Sequence, residues 1–320
     1  MGSDEFSVPS FETCIEKTDV VAVYTRPDRR AGRGRARLAA SPVKEVAAEH
    51  GLRIEQPETF DNQCCRQLRE LRPDLLVVAA YGVILPLAAI EASQRDSINV
   101  HASLLPRHRG AAPVAAAILA GDDETGVTVM RIRPRLDAGE IICLGEGRRA
   151  QARVRIGPEE TAGELTDRLA TLGARVLAEA IDAYADGSVT YESQDERLAT
   201  PAPSLSKADG RIDWNRPAGY IVRHVRAMTP WPGAFSQLLI PGEPPRRIAI
   251  LEAGAADGGP GRPGMVQTAD GSLVVCAGEG AVEVRRLKPA GRQAMDAAAF
   301  VRGCRPLREN KDGACRFATD

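Results

Sequence analysis

Two hydrophobic periods alternate along the first 150 residues. Residues 19–24, Asp-Val-Val-Ala-Val-Tyr, form a short β-branched run that predicts a buried strand. Residues 74–80 predict a second strand, 97–101 a third and 126–132 a fourth, with a short one at 53–55. Helical spacing fills the intervals at 42–49, 62–71 and 111–120. Ser41 caps the first of these and Pro42 sits in its first turn. The rhythm predicts an α/β fold with a Rossmann-like, doubly wound, mostly parallel sheet. Leu165, Leu169, Leu172, Val176, Leu177 and Ile181 then mark one face of a long helix over 161–185.

From residue 187 to 206 the chain turns polar and carries Pro201 and Pro203, which reads as an interdomain linker. A helix near 218–228 follows. Five short apolar runs come next, at 234–240, 247–252, 264–268, 273–276 and 282–287. They predict a small C-terminal OB-like β-barrel. The expected organisation is a domain at 1–186, a linker at 187–206, a barrel at 207–303 and a polar, frayed tail at 304–320. The start is irregular. A doubly wound domain ordinarily opens with a strand that runs into a Gly-rich turn. Gly2-Ser3-Asp4-Glu5-Phe6 reads as that turn and the helix start after it, with no strand-like run before it. The first strand is therefore expected to be missing, stability is expected to suffer, and Met1 is expected to lie inside a longer reading frame or a trimmed chain.

Composition adds exclusions. The 320 residues carry a net charge of −1, so bulk charge gives no case for a polyanion partner. Its distribution differs by region. Residues 1–206 hold 25 basic against 31 acidic residues, and residues 207–320 hold 17 against 12, so the second part is the better polyanion contact. Seven cysteines show no Cys-x-x-Cys pair, as in an ordinary cytoplasmic protein. His50, His101, His108 and His224 lack ligand spacing, so no metal is expected. No run is long enough to span a membrane, and the acidic start is unlike a signal peptide.

The chemistry concentrates in Ser97-Ile98-Asn99-Val100-His101-Ala102-Ser103-Leu104-Leu105-Pro106. Strand side chains alternate faces, so Asn99 and His101 project together from one strand end. The carboxyl ends of strands are where open α/β sheets bind ligands. An amide and an imidazole there can stabilise an oxyanion and move a proton. Taken alone, the pair reads more readily as a satisfied polar pair at a strand end. Downstream stand Arg107-His108-Arg109-Gly110-Ala111-Ala112-Pro113, then Gly121-Asp122-Asp123-Glu124-Thr125-Gly126, then Leu136-Asp137-Ala138-Gly139-Glu140.

This ordered set resembles the formyltransferases that use 10-formyltetrahydrofolate. The resemblance covers residues 2 to about 302. It implies that Asn99 and His101 with Asp137 form the catalytic set. Asp137 would orient His101 and help deprotonate an attacking amine. It also implies that Ser103, Leu104, Leu105 and Pro106 clasp the folate donor through backbone groups. Tyr81, Gly82, Val83 and Ile84 would wall its pterin. Residues 26–37 hold six arginines, and the two glycines among them make the loop mobile. Arginine pairs readily with phosphate. The loop resembles the one with which the tRNA-directed branch of the family enters an acceptor stem. Arg33 is the expected key contact, with Arg30 and Arg35 beside it. Trp214 and Arg226-Ala227-Met228-Thr229-Pro230-Trp231-Pro232 resemble the start of that branch's C-terminal domain. The implied acceptor is the amino group of methionyl initiator tRNA, the implied donor is 10-formyltetrahydrofolate, and the expected state is a cytoplasmic monomer. A sugar-nucleotide N-formyltransferase and a catalytically silent folate- or RNA-binding protein are the alternatives.

Overall fold

The computed structural model of the chain describes residues 1–31, 37–257, 261–268, 271–310 and 314–319. Contacts divide the chain into two compact units. One takes residues 1–113, 124–155 and 165–203, and the other takes 114–123, 156–164 and 204–320.

The first unit is built on β1 (Val23–Tyr24), β2 (Ile54–Glu55), β3 (Leu75–Val78), β4 (Asp96–His101), β5 (Glu124–Arg131), β6 (Ile141–Cys143), β7 (Gln151–Arg155) and β8 (Thr190–Glu192). β1 pairs with β2 and β3 with β4, both parallel. Gly2 forms a parallel bridge with Ala79, and its N–H donates to Tyr24 O at 3.1 Å, so the first residues join β1 to β3. Past β4 the sheet continues through antiparallel neighbours: β5, then β6 and β8, with β7 also on β5. The result is a Rossmann-like α/β sheet. Ile98 and Val100 of β4 are fully covered, as their β-branched, apolar character requires.

Helix Pro42–Glu49 begins where capping chemistry predicts, with the Ser41 side chain accepting from Lys44 N. The long helix Ala162–Asp186 buries Leu165, Leu169, Val176, Leu177 and Ile181, while Leu172 is half-buried. Gly173 lets it approach the sheet, since a Cβ there would sit 2.9 Å from Val100 Cγ1.

The strand expected over residues 19–24 is realised only at Val23–Tyr24. The rest of this run lacks a paired neighbour, and Val21 is left 45 % exposed. Between this edge and β3 lies a cavity of about 460 Å3, lined among others by Val20, Ala22, Phe11, Leu75, Val77 and Tyr184. The Met1 amine reaches into it and donates to Val77 O at 2.7 Å. Burial lowers the pKa of this amine from 8.0 to about 6. The unfolded chain therefore holds more protons than the folded one between pH 6 and 8, and stability rises with pH across that window. Two pH units correspond to roughly 2–3 kcal/mol. Below pH 6 this contribution is lost. Denaturant unfolding at pH 6 and 8 should show the rise, and acetylating Met1 should flatten it. An unchanged slope after acetylation would refute the assignment.

The polar stretch read as a linker is integrated into the first unit as far as Pro203. β8 pairs with β6, and Pro201–Ala202 runs parallel to Arg109–Gly110. Its polarity reflects a surface ribbon with satisfied backbone groups, not a free connection.

The second unit contains β9 (Phe235–Leu239), β10 (Arg246–Ala256), β11 (Val266–Gln267), β12 (Leu273–Cys276), β13 (Ala281–Pro289) and β14 (Arg316–Phe317). They follow the antiparallel order β11-β12-β13-β10-β9-β14. An antiparallel bridge from Met265 to Arg316 brings the last strand back to the first, giving a nearly closed barrel. Trp214 fills its core, with Nε1 donating to Ser236 Oγ at 3.0 Å and its ring 5.4 Å from that of Phe317. The tail expected to fray includes β14, because fully buried Phe317 anchors it. No helix among the described residues is long and apolar enough to cross a membrane.

Candidate active site

β4 presents Asn99 and His101 on one face, as alternation requires. Asn99 is half-buried, and His101 is 5 % exposed. Across the ladder they oppose Met130 and Thr128 of β5. His101 Nε2 lies 3.0 Å from His108 O. A carbonyl can only accept, so this nitrogen carries the hydrogen and Nδ1 turns to the opposite side. There it meets Asp137 Oδ2 at 3.7 Å. The separation is an ion-pair distance when the imidazole is protonated, and too long for a direct hydrogen bond. Asp137 Oδ2 instead accepts from Gly110 N at 2.8 Å. His101 and Asp137 thus lie near one another, and Asn99 stands two residues before His101 on the same strand face. Asp137 is oriented by the backbone of Gly110, and faces the histidine without gripping it.

The Asp137 turn is unusual backbone. Asp137 has φ +48°, which few non-glycine residues adopt. Gly139 follows because any Cβ there would overlap Arg131 O. Gln194 holds the turn from outside, with its Nε2 donating to Asp137 O at 2.9 Å and to Gly139 O at 2.7 Å. Arg109 fixes Gln194 in turn, donating to Gln194 Oε1 from Nε at 3.0 Å and from Nη2 at 2.8 Å. The same guanidinium pairs with Glu196, and this contact holds the Glu196 carboxyl below its ordinary pKa. Arg135 also pairs with Glu196. Residues 200–202 complete the frame. Thr200 O accepts from Arg109 N at 2.8 Å, Thr200 Oγ1 from His108 N at 2.9 Å, and Ala202 O from Ala112 N at 3.2 Å. Gln194, Arg109 and Glu196 were missed as site residues. Arg109 lies inside a quoted motif, but nothing in the spacing signals Gln194.

The loop Ser103–Leu104–Leu105–Pro106 follows β4 directly. Its backbone is largely engaged within the protein. Thr128 Oγ1 donates to Ser103 O at 2.7 Å and accepts from Leu105 N at 3.1 Å, and Gln151 Nε2 donates to Leu105 O at 3.3 Å. Leu104 O accepts from Arg107 N. The loop is therefore shaped by Thr128 and Gln151, and it offers a ligand the half-buried apolar surfaces of Leu104 and Pro106.

Tyr81, Gly82, Val83 and Ile84 lie beyond the carboxyl end of β3. They divide into two roles. Tyr81 turns into the core, 2 % exposed, with its ring edge-on to Phe60. Burial raises its hydroxyl pKa. Ile84 is 94 % exposed and Val83 half-buried, which leaves an apolar lip suited to a flat ring. Gly82 adopts φ +70°, and a Cβ there would meet Arg26 Cζ at 3.1 Å.

Arg26 is the foot of the arginine-rich loop. Arg29–Ala31 and Arg37–Ala39 pair as an antiparallel ribbon. Its base is anchored, since Lys44 pairs with Asp28 at 2.7 Å and Gln56 Nε2 donates to Asp28 and to Arg26 O. Arg30 lies on the first strand of this ribbon. Arg33 and Arg35 fall outside the described residues. Among the described residues no group of three or more His, Cys, Asp or Glu could hold a metal ion.

Comparisons with known proteins agree with this layout. The profile of the formyl transferase family matches residues 10–181, and that of the formyl transferase C-terminal domain matches residues 204–305. A methionyl-tRNA formyltransferase from Parvibaculum lavamentivorans is 43 % identical over 305 residues, covering 95 % of each chain. One from Methylococcus capsulatus is 43 % identical over 303 residues, covering 94 % of each. Among solved structures, an N-formyltransferase from Helicobacter canadensis, crystallised with folinic acid and dTDP-3-aminofucose, shares the fold. Its TM-score is 0.65 at 16 % identity, covering 88 % of this chain and 96 % of that one.

Proposed function

The chain belongs to the formyl transferase family, and we propose that it moves the formyl group of 10-formyltetrahydrofolate to the α-amino group of methionyl initiator tRNA through Asn99, His101 and Asp137. The approach of Asp137 to His101, with Asn99 on the same face of β4, carries the reading. An amine that attacks a formyl carbon needs no enzyme nucleophile. It needs a donor for the oxygen that becomes negative and a route for one proton. Asn99 supplies the donor. The attacking amine gives up its proton toward Asp137 and Nδ1 of His101, and the leaving folate nitrogen receives one. His101 can carry that proton while Nε2 stays bonded to His108 O, so the ring need not turn.

The donor supplies the activated formyl carbon. The lip of half-buried Val83 and exposed Ile84 and the Leu104 and Pro106 surfaces suit its flat ring system. Arg30, Arg33 and Arg35 pair with the acceptor's phosphates in this reading, and the basic excess of the second part of the chain also favours a polyanion. The reading places the enzyme in the cytoplasm, acting as a monomer. It is supported by curated relatives over nearly the whole chain, whereas the sugar formyltransferase structures share the fold alone.

One experiment tests donor and acceptor together. With 10-formyltetrahydrofolate, the enzyme should formylate charged initiator tRNA and leave a dTDP-amino sugar unmodified. Arg33→Glu should raise the KM for tRNA by about tenfold or more, the effect of one or two lost phosphate contacts, and leave the KM for the folate unchanged. Formylation of the sugar alone would overturn the acceptor, and unchanged tRNA kinetics would overturn the role of the loop.

A further inference from the structure

Two residues at the site hold backbone angles that side-chain-bearing residues rarely adopt. His108 has φ +57° and Asp137 has φ +48°. Each serves the same imidazole. His101 Nε2 donates to His108 O at 3.0 Å, and the Asp137 carboxylate faces Nδ1 of that ring at 3.7 Å. Backbone strain of this kind persists only where the surroundings over-determine it. Here one segment, residues 194–202, holds both.

Gln194 holds the Asp137 side. Arg109 can only donate, so Gln194 Oε1 faces the guanidinium and Nε2 is left for the turn. That nitrogen donates to Asp137 O at 2.9 Å and to Gly139 O at 2.7 Å. Apolar packing does little for this turn, since Pro134, Arg135 and Leu136 at its apex are exposed. Arg135 reaches Glu196, again a residue of the segment. Thr200 holds the His108 side. Its Oγ1 accepts from His108 N at 2.9 Å and its carbonyl from Arg109 N at 2.8 Å. Pro201–Ala202 then pairs with Arg109–Gly110, and Gly110 N donates to Asp137 Oδ2. The gap between His101 and Asp137 is therefore bounded from both sides by the same nine residues.

We propose that residues 194–202 form a positioning strap, in which Gln194 and Thr200 set the separation of Asp137 and His101 and through it the rate of the chemical step. The proposal rests on the formyl-transfer reading of those two side chains. Groups that share the movement of one proton depend steeply on their spacing, and a misplacement of about 1 Å costs ~10²-fold. The surfaces suited to donor and acceptor lie elsewhere, on the Val83, Ile84, Leu104 and Pro106 side chains and on the arginine-rich loop. The strap therefore acts on kcat and leaves KM alone.

Gln194→Met and Thr200→Val keep side-chain size and remove the hydrogen-bonding groups. Each should lower kcat for tRNA formylation by ~10–100-fold and leave the KM of donor and acceptor within about threefold. Gln194→Glu keeps an oxygen for Arg109 but cannot donate to the turn. It should be as slow as Gln194→Met, and it stands in for that variant if the apolar side chain unfolds the protein. Thr200→Ser keeps the accepting oxygen and should recover most of the rate lost in Thr200→Val. The decisive comparison adds Gln194→Met to Asp137→Asn. With the carboxylate gone, the second change should cost less than about threefold more, because the two residues act as a unit. A further loss as large as in the parent would mean general damage and would overturn the strap. So would KM values that rise in step with the fall in kcat, or a Thr200→Ser as slow as Thr200→Val. Parental kcat in Gln194→Met or Thr200→Val, beside a slow Asp137→Asn, sinks this proposal alone. Asp137→Asn at the parental rate sinks the reading of the site, and the strap with it.

Discussion

Asp137→Asn should lower kcat for formyl transfer by ~10²–10⁴-fold, while the protein should keep its fold and its substrate KM values should stay within a few fold. The substitution separates two roles. An asparagine oxygen can still accept from Gly110 N, as Asp137 Oδ2 does at 2.8 Å. Asparagine also tolerates the positive φ of +48° at this position better than most residues. What it cannot do is take a proton or pair with a protonated His101 across 3.7 Å. Asp137→Ala should lose the Gly110 contact as well, and should therefore lower stability in addition to rate. Single-turnover formylation and a melting curve on the same samples distinguish these outcomes. A near wild-type rate for Asp137→Asn would remove the carboxylate from the chemistry.

Asn99→Ala should cost ~10²–10³-fold in kcat, the loss of one oxyanion donor. The ladder that holds residue 99 is made of backbone bonds to β3 and β5, which alanine retains. The side chain is half-buried and central to no apolar cluster, so Tm should change little. Asn99→Asp should not rescue the rate, because a carboxylate repels the charge that the amide stabilises. Stopped-time assays of both variants at saturating donor and tRNA read the effect directly. Activity in Asn99→Asp equal to the parent would rule out a donor role.

Much of this arrangement could be read from local pattern, and the rest could not, for reasons of distance. Strand alternation alone put Asn99 beside His101. The apolar stripe of the long helix and the strand-length runs of the barrel needed only periodicity. Asp137 was located only through the resemblance, because a turn aspartate has no spacing signature of its own. Gln194 was out of reach altogether. It acts on Asp137 and Gly139 from more than fifty residues away, within a stretch whose polarity resembles a linker. The clasp expected from Ser103–Pro106 differs because Thr128 and Gln151, on other strands, already take those backbone groups. Such satisfaction is a tertiary property with no trace in the loop's own residues. Tyr81 is expected at the ligand wall through the resemblance, whereas its side chain is buried, edge-on to Phe60.

The hold of Gln194 on the Asp137 turn also has a consequence in time. The two residues are 57 positions apart in the chain. At ~5–20 residues per second of synthesis, the turn waits ~3–11 s after it is made before its clamp exists. The segment at 200–202 that frames His108 and Gly110 arrives later still. A nascent chain released or stalled before residue 194 would carry all three polar side chains of the site and still lack the geometry to use them.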